Sequence, residues 1–458
     1  MPATKQEERA RPQWFVVKAV ALAIVLGTLA LMLPWSTRTA GLPDPLTAVF
    51  TAASAVCVTG HSAVCVPEYY TVFGQTVLLL LIQIGGMGFM LLGTLLLSMA
   101  GRHMSMQSEM AVMDVLRLQE AHNLRELLQR SIQFTFFLEG CGAVLLAWRF
   151  HTAYAQPLPH AIFNGVFHSV SAYCNAGFSL FPDSLTAFRH DPAILTIIGV
   201  LVTAGGLGFI VLYDISRYRF WQRNLLRRGR LMLHTKVVLL ATAALLSLGA
   251  LAFGALEWRN TLAQLTWPVK IMDSLFHAVT ARTAGFNTLE MAELRPATRF
   301  INMILMYIGG GPGSTAGGIK VTTVAVLLAA TIAMIRGRRE TTILNRTLSQ
   351  RNTTTALAVF ILSTLLLTLL YGLLLISEHN LLQAGVFSTD FLMFDTISAF
   401  STTGLSTGII PKLSKTGLAL MTLCMFIGRV GPLTIAMLVG TKSPRRLVRP
   451  PDEDVLVG

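Results

Sequence analysis

Four segments of the chain run from an aromatic residue through small and hydroxyl residues to a glycine: Phe50–Gly60, Phe167–Gly177, Phe276–Gly285 and Phe394–Gly404. They end in Cys57-Val58-Thr59-Gly60, Cys174-Asn175-Ala176-Gly177, Arg282-Thr283-Ala284-Gly285 and Ser401-Thr402-Thr403-Gly404, so the side chains vary while the glycine stays. That pattern describes a site made by backbone, because glycine takes φ > 0 freely and lets backbones approach closely. The chemistry a backbone offers is carbonyl oxygen. Stripping water from a cation costs many kcal/mol, and carbonyls held in a row replace the lost hydration. One such glycine is an ordinary turn; four at the same place in four repeats describe a cation filter carried on one polypeptide. The aromatic-to-glycine spacing is ten residues in three copies and nine in the third, so the third quarter is expected to differ locally.

The elements that would position such a site are membrane helices. The 458 residues are 53% hydrophobic and 13% charged, with a mean hydropathy of +0.61, which is more apolar surface than a soluble core of this size needs. Uncharged runs long enough to span a bilayer occur at Ala19–Thr37, Val72–Gly101, Pro192–Tyr213, Val237–Leu256 and Thr353–Ser377. Three more carry a polar feature: Ser131–Trp148 with Glu139, Phe300–Ile335 with a glycine cluster and Lys320, and Thr416–Gly440 with Arg429. Eight spans result. The first has a long apolar run, a leader of mixed charge and no convincing cleavage site, and is expected to be a retained helix rather than a signal peptide.

The formal charge of +13 does not point to nucleic acid, because the bases sit in loops between spans. They cluster before the first span, from Arg217 to Lys236, from Arg336 to Arg351, and in the tail from Lys442 to Arg449. These are every second loop, so the positive-inside rule places both termini in the cytoplasm. In the opposite loops lie apolar stretches too short to cross: Leu42–Val56, His160–Tyr173, Pro268–Ala281 and Ser388–Phe400. Such stretches are candidate re-entrant pore helices, tolerated at membrane depth only around a shared cavity. The predicted fold is an all-α membrane protein of four tandem repeats, each an outer helix, a re-entrant pore helix, a filter loop and an inner helix, around a pseudo-fourfold pore. The repeats divide as 1–101, 102–214, 215–336 and 337–458, the first and last carrying cytosolic ends.

The inner helices echo one another at Ile84–Phe89, Ala204–Phe209, Ile308–Gly313 and Ile427–Pro432. In the first two copies, packing through small residues is the expected reason. The third departs: between Gly309 and Lys320 lie Gly310, Gly311, Pro312, Gly313, Ser314, Thr315, Ala316, Gly317 and Gly318. A helix there would lose on the order of 1 kcal/mol per glycine and about 3 for the proline, so it is expected to break into an extended flexible segment rather than a static kink. Arg429 lies mid-span, where it costs a few kcal/mol unless it meets water or a partner. Glu139 and Arg282 are expected to brace repeats through ion pairs or carbonyl hydrogen bonds. Asp273 and Asp395 fall near pore-helix starts, where carboxylates cap free N–H groups. Cys57, Cys65, Cys141, Cys174 and Cys424 lack ligand spacing and read as apolar fillers, with a Cys57–Cys65 disulfide unsupported. His61, His168 and His277 do not cluster as ligands, and no nucleophile, base and metal group suggests an enzyme. A secondary carrier would need a midplane pocket of polar side chains, where this chain offers backbone repeats.

The runs Phe-His-Ser-Val-Ser-Ala-Tyr-Cys-Asn-Ala-Gly-Phe from Phe167, Phe-His-Ala-Val-Thr-Ala-Arg-Thr-Ala-Gly-Phe-Asn from Phe276 and Gly-Gly-Gly-Pro-Gly-Ser-Thr-Ala-Gly-Gly-Ile-Lys from Gly309 resemble the Ktr/Trk/HKT superfamily of potassium transporters. The resemblance covers essentially the whole chain. Eight spans are more similar to the KtrB type of membrane subunit than to the longer TrkH type. The resemblance implies a potassium filter at the four glycines, with Gly60 where the sodium-preferring plant branch carries serine. It also implies that Gly309–Lys320 is a movable intramembrane gate, and that Arg429 is a fixed charge acting with it. It further implies a plasma-membrane homodimer, in lipid, docked on a cytosolic ring of KtrA/TrkA-like nucleotide-binding subunits, with K+ as the transported ligand and no cofactor on this chain. A Na+-dependent K+ uptake, or a Na+-permeable or H+-coupled transporter of the same superfamily, stays open.

Overall fold

The computed structural model describes residues 12–38, 43–88, 124–217, 231–338, 340–432 and 434. Its helices are α1 (Pro12–Leu31), α2 (Pro45–Val56), α3 (Val72–Met87), α4 (Leu124–Tyr154), α5 (Leu158–Tyr173), α6 (Pro192–Leu207), α7 (Phe209–Arg217), α8 (Leu233–Glu257), α9 (Trp267–Thr280), α10 (Pro296–Tyr307), α11 (Val321–Ile335), α12 (Gln350–Ser377), α13 (Thr389–Phe400) and α14 (Lys415–Val430). Single turns at Val66–Tyr69 and His379–Gln383 and a two-residue hairpin, β1 (Thr342–Ile343) with β2 (Arg346–Thr347), complete the larger picture. The hairpin was not expected in an all-α chain. It forms because Leu344 and Asn345 both take φ > 0, at 47° and 61°, as a tight two-residue turn requires.

Among the described residues, α4, α8 and α12 are long and apolar enough to cross a membrane, and the bent pair α6–α7 would make a fourth; α1, α3 and α11 are shorter apolar helices. Their outward faces are apolar: Leu365, Leu369 and Ile376 of α12 are more than half exposed, as on a surface that meets lipid or another subunit. The buried polar residues gather instead on the short helices α2, α5, α9 and α13, whose C-terminal halves are almost entirely enclosed. Prolines open several helices where a missing N–H costs nothing. Asp44, Thr71, Asp191 and Ser414 cap α2, α3, α6 and α14 through their side chains.

Two expectations change. The span read as unbroken from Pro192 to Tyr213 is cut at Gly208, and α7 leaves α6 at 96°. Equivalent glycines end α3 at Gly88 and α14 at Gly431, with φ of 75° and 91°; residues 89–101, the rest of the second span, and 435–440 lie outside the described residues. A glycine at positive φ thus stands at the end of α3, α6 and α14 alike, and interruption is not confined to the Gly309–Lys320 stretch. The small residues just before that glycine do pack closely. A Cβ added to Gly85, Gly205 or Gly428 would collide with the carbonyl oxygen of Val56, Tyr173 or Phe400, the last helical residue of α2, α5 or α13.

That contact can be tested against its neighbour in sequence. Gly205→Ala forces a backbone shift and is expected to lower stability by about 1 to 3 kcal/mol. Gly206→Ala, whose Cβ would lie 3.6 Å from the Asn175 amide, should change little. Thermal unfolding in detergent compares the two, and equal melting temperatures would contradict the packing.

Candidate functional site

Each short helix passes into its glycine through a residue in the left-handed region: Val58, Asn175, Thr283 and Thr402 have φ of 58°, 59°, 66° and 49°. Gly60, Gly177, Gly285 and Gly404 follow two residues later, also at positive φ. The intervening residue turns its amide back to the helix: Thr59 N donates to Ser54 O at 2.8 Å, Ala176 N to Ser171 O at 2.7 Å, Ala284 N to Thr280 O at 3.0 Å and Thr403 N to Ser398 O at 2.8 Å. A trans peptide sets C=O opposite N–H, so the carbonyls of Val58, Asn175, Thr283 and Thr402 point away from those helix ends.

The four turns meet. A Cβ on Gly60 would strike Ala176 O, one on Gly177 would lie 2.7 Å from Ala284 O, one on Gly285 2.5 Å from Thr403 O, and one on Gly404 would strike Thr59 O. Every glycine therefore abuts the carbonyl that precedes the glycine of the next turn. The contacts close into a ring that visits the four in sequence order and returns to the first. Any β-carbon would break it, which is why only glycine stands there. The side chains of Cys57, Val58, Thr59, Cys174, Asn175, Ala176, Arg282, Thr283, Ala284, Ser401, Thr402 and Thr403 are buried behind or within the turns. The third quarter is one residue shorter and built differently: the amide that closes the turn reaches back four residues, from Ala284 to Thr280, where the other three reach back five, and its helix stops at Thr280, three steps before Thr283, against two from Val56 to Val58. Arg282 lies between that early helix end and Thr283.

The ring is pinned from outside by residues that pattern reading undervalued. Ser171 Oγ donates to Phe178 O at 2.8 Å and Thr280 Oγ1 to Phe286 O at 2.5 Å, each fixing the residue after a glycine. His61 Nε2 lies 3.1 Å from Ser398 Oγ and 3.2 Å from Leu405 O, tying the first turn to the fourth. His168 contacts Ser179, and Asn302 contacts His277 at 2.8 Å. The histidines thus brace the turns. Asp273 and Asp395 do not cap helix starts; both lie inside α9 and α13, several residues beyond the N-termini. Asp273 pairs with Arg189 at 2.7 Å and accepts from Thr288, while Asp395 accepts from Thr407 N at 2.9 Å and from Ser406. Glu257 and Glu378, at the ends of α8 and α12, accept from the residues just before α10 and α14, Arg295 N and Ser414 N, at 3.0 Å each. Glu139 joins Gln83 and the Cys174 thiol. At the outer rim, hydrogen bonds from Thr47 hold the Asp44 carboxyl below the usual carboxylate range. The five cysteines are free thiols, and among the described residues no group of His, Cys, Asp and Glu is placed to hold a metal.

Under the ring lies the segment from Ile308 to Lys320. It has no helix, yet it is not loose. Gly309 N donates to Ile319 O at 2.9 Å and Ile319 N to Tyr307 O at 3.0 Å, closing a neck. Gly311 N reaches Gly206 O, Thr315 N reaches Gly205 O, and Thr315 Oγ1 donates to Tyr173 O. A Cβ on Gly317 would strike Ser401 O and Thr402 Oγ1, so the loop touches the fourth turn. Gly310 abuts Gly206 O, Pro312 O abuts Gly208, and Gly313 O accepts from Phe209 N. Ser314 and Ala316 lie between, Gly318 takes φ 65°, and Lys320 Nζ turns back to Ala316 O at 2.6 Å. Arg429 crosses from α14 and donates to Thr315 O at 2.7 Å and to Gly85 O. The expected flexible stretch is an ordered, hydrogen-bonded loop, because its glycines allow backbone-to-backbone contact that larger residues forbid.

The family model described as "TrkH: Cation transport protein" matches residues 3–446, and the chain belongs to that family. It is a membrane transport protein of the Ktr/Trk superfamily and not an enzyme. "Ktr system potassium uptake protein B" of Bacillus subtilis is 37% identical, over 95% of this chain and 94% of its own length. The protein of the same name from Vibrio alginolyticus is 37% identical over 90% and 88%. "Potassium/sodium uptake protein NtpJ" of Enterococcus hirae is 33% identical over 98% of each. The crystal structure of the potassium transporter TrkH from Vibrio parahaemolyticus shares the fold, with a TM-score of 0.71 at 17% identity over 94% of this chain and 85% of that one.

The pins carry stability. Arg189→Met leaves the fully buried Asp273 carboxylate without its partner and is expected to cost about 3 kcal/mol or more. Adding Asp273→Leu should recover part of that loss. Unfolding in mixed micelles checks both, and a double variant no more stable than Arg189→Met would contradict the pairing.

Proposed function

We propose that the chain is the potassium-translocating, channel-like subunit of a K+ uptake system, with Cys57–Gly60, Cys174–Gly177, Arg282–Gly285 and Ser401–Gly404 as the four quarters of its filter. The observation that carries this is the closed ring of glycine-to-carbonyl contacts. Four tandem units, 1–101, 102–214, 215–336 and 337–458, surround one pore of eight spans with both termini cytoplasmic. The carbonyls turned away from α2, α5, α9 and α13 replace the hydration of an entering cation. The C-terminal ends of those helices add the negative pole of their dipoles. The cation then meets the Gly309–Lys320 loop, held shut by Arg429, and passes when the loop moves. Inward flux follows the membrane potential at about 2.3 kcal/mol per charge per 100 mV.

Relatives named as parts of a Ktr system support a chain that works with other subunits; the proposed partners are a second copy in the plasma membrane and a cytosolic ring of nucleotide-binding KtrA/TrkA-like subunits. The similarity to a protein named for potassium and sodium uptake favours a second reading, in which sodium also passes or drives uptake.

Rubidium and sodium flux into vesicles holding the purified chain, with and without the regulatory partner, tests the function. Cation flux is expected, and its absence in both would overturn the reading. Gly60→Ser drives a side chain into Ala176 O and is expected to lower the preference for K+ over Na+; an unchanged ratio in competition uptake would remove Gly60 from the filter. Deleting part of 310–317 is expected to raise flux, and unchanged flux in a folded variant would argue against a gate.

A further inference from the structure

Three cationic side chains each hold a carbonyl of the Gly309–Lys320 loop: Arg429 holds Thr315 O, Lys320 holds Ala316 O, and Arg282 holds Gly309 O at 3.0 Å. The first two belong to the loop and the helix beneath it. Arg282 alone belongs to the ring. It is a member of the third turn, immediately before the left-handed Thr283, and that turn is the one whose helix stops early, at Thr280. Its acceptor is the neck of the loop, where Gly309 N also donates to Ile319 O.

An ion-pair brace would place a carboxylate beside this guanidinium. Among the described residues no ion pair includes Arg282, which is 8% exposed, and its Nε is buried without a hydrogen-bond partner. An uncompensated buried charge is costly, and here it is carried by a residue of the ring itself, next in sequence to Thr283, whose carbonyl is proposed to receive a cation. Like charges repel strongly in such surroundings. A cation arriving at the third quarter therefore pushes on the guanidinium, and the guanidinium is bonded to the neck of the loop. The coupling runs both ways, because any shift of the neck that frees Arg282 alters the charge facing the ring.

We propose that Arg282 is a positioning residue through which cation occupancy of the ring is transmitted to the loop below. The proposal rests on the reading of the ring as a filter and of the loop as its barrier. The third quarter departs from the other three because its helix stops early, at Thr280, and the backbone that follows delivers this side chain to Gly309. Arg282 does not coordinate the permeant ion; it sets the position of the group that obstructs it.

The test uses the full chain in lipid nanodiscs, with hydrogen–deuterium exchange of the peptide spanning 309–320 followed in K+ and in choline. In the wild type, exchange of this peptide is expected to change between the two solutions by about fivefold or more, the size of an ordinary coupling between sites. In Arg282→Gln that dependence is lost, whereas peptides of α12 exchange as in the wild type. Rubidium flux in matched vesicles gives the second arm: Arg282→Gln raises flux in the intact chain and changes it by less than about twofold when part of 310–317 is deleted, as shared action through one element requires. If the glutamine variant loses its monodisperse profile, Arg282→Lys replaces it. A single ammonium lacks the reach and fork of the guanidinium, and the same weakening of the K+ dependence is expected. A loop whose exchange ignores K+ in a conducting wild type overturns the coupling and leaves the filter reading standing. An equal flux change in both loop backgrounds also overturns it. Absence of wild-type flux overturns the filter reading instead.

Discussion

The structure depends on four backbones touching where side chains are forbidden. Gly60, Gly177, Gly285 and Gly404 each lie against the carbonyl of the next turn, and no residue with a β-carbon fits at any of them. Everything else can be understood as support for that contact. The short helices must end at the ring, so their last carbonyls approach the inner helices, and those helices answer with Gly85, Gly205 and Gly428. The buried hydroxyls, histidines and aspartates behind the turns hold the ring from outside, because a backbone at φ > 0 without regular hydrogen bonds needs partners of its own.

The ring and the loop below it make different use of the same residue type. In the ring, glycine permits a repeated geometry; in the loop, a run of glycines permits one that occurs once. Fourfold likeness fails at three places: the loop, Arg429 and the third turn, which is one residue shorter. These are joined in space, since Arg429 reaches Thr315 and Arg282 reaches Gly309. The asymmetric parts of the chain are thus one connected assembly beneath a nearly symmetric one.

Much of this was legible from the residues. The apolar stretches too short to cross, read as Leu42–Val56, His160–Tyr173, Pro268–Ala281 and Ser388–Phe400, are the helices Pro45–Val56, Leu158–Tyr173, Trp267–Thr280 and Thr389–Phe400 to within a few residues. Length and composition suffice there, because a helix of that size between two longer ones has few other places to go. The break after Tyr307 was readable from the density of glycine. The 96° bend at Gly208 was not, since one glycine in an apolar run is equally compatible with a straight helix packed closely. Partners distant in sequence were also invisible. Asp273 near a helix start suggests a cap, and only the fold brings Arg189 to it. Arg282 reads as a brace between repeats through an ion pair or a carbonyl hydrogen bond, and the fold gives the carbonyl bond, to Gly309 O within the same 215–336 stretch; a backbone acceptor leaves no trace in a pattern of side chains.

The role proposed for the ring is to bind a dehydrated cation. Anomalous diffraction from crystals of the protein grown in rubidium or thallium salts tests this role. A peak is expected on the axis of the ring, within coordination distance of the carbonyls of Val58, Asn175, Thr283 and Thr402. Peaks found only elsewhere in the protein, with none inside the ring at saturating salt, would contradict it.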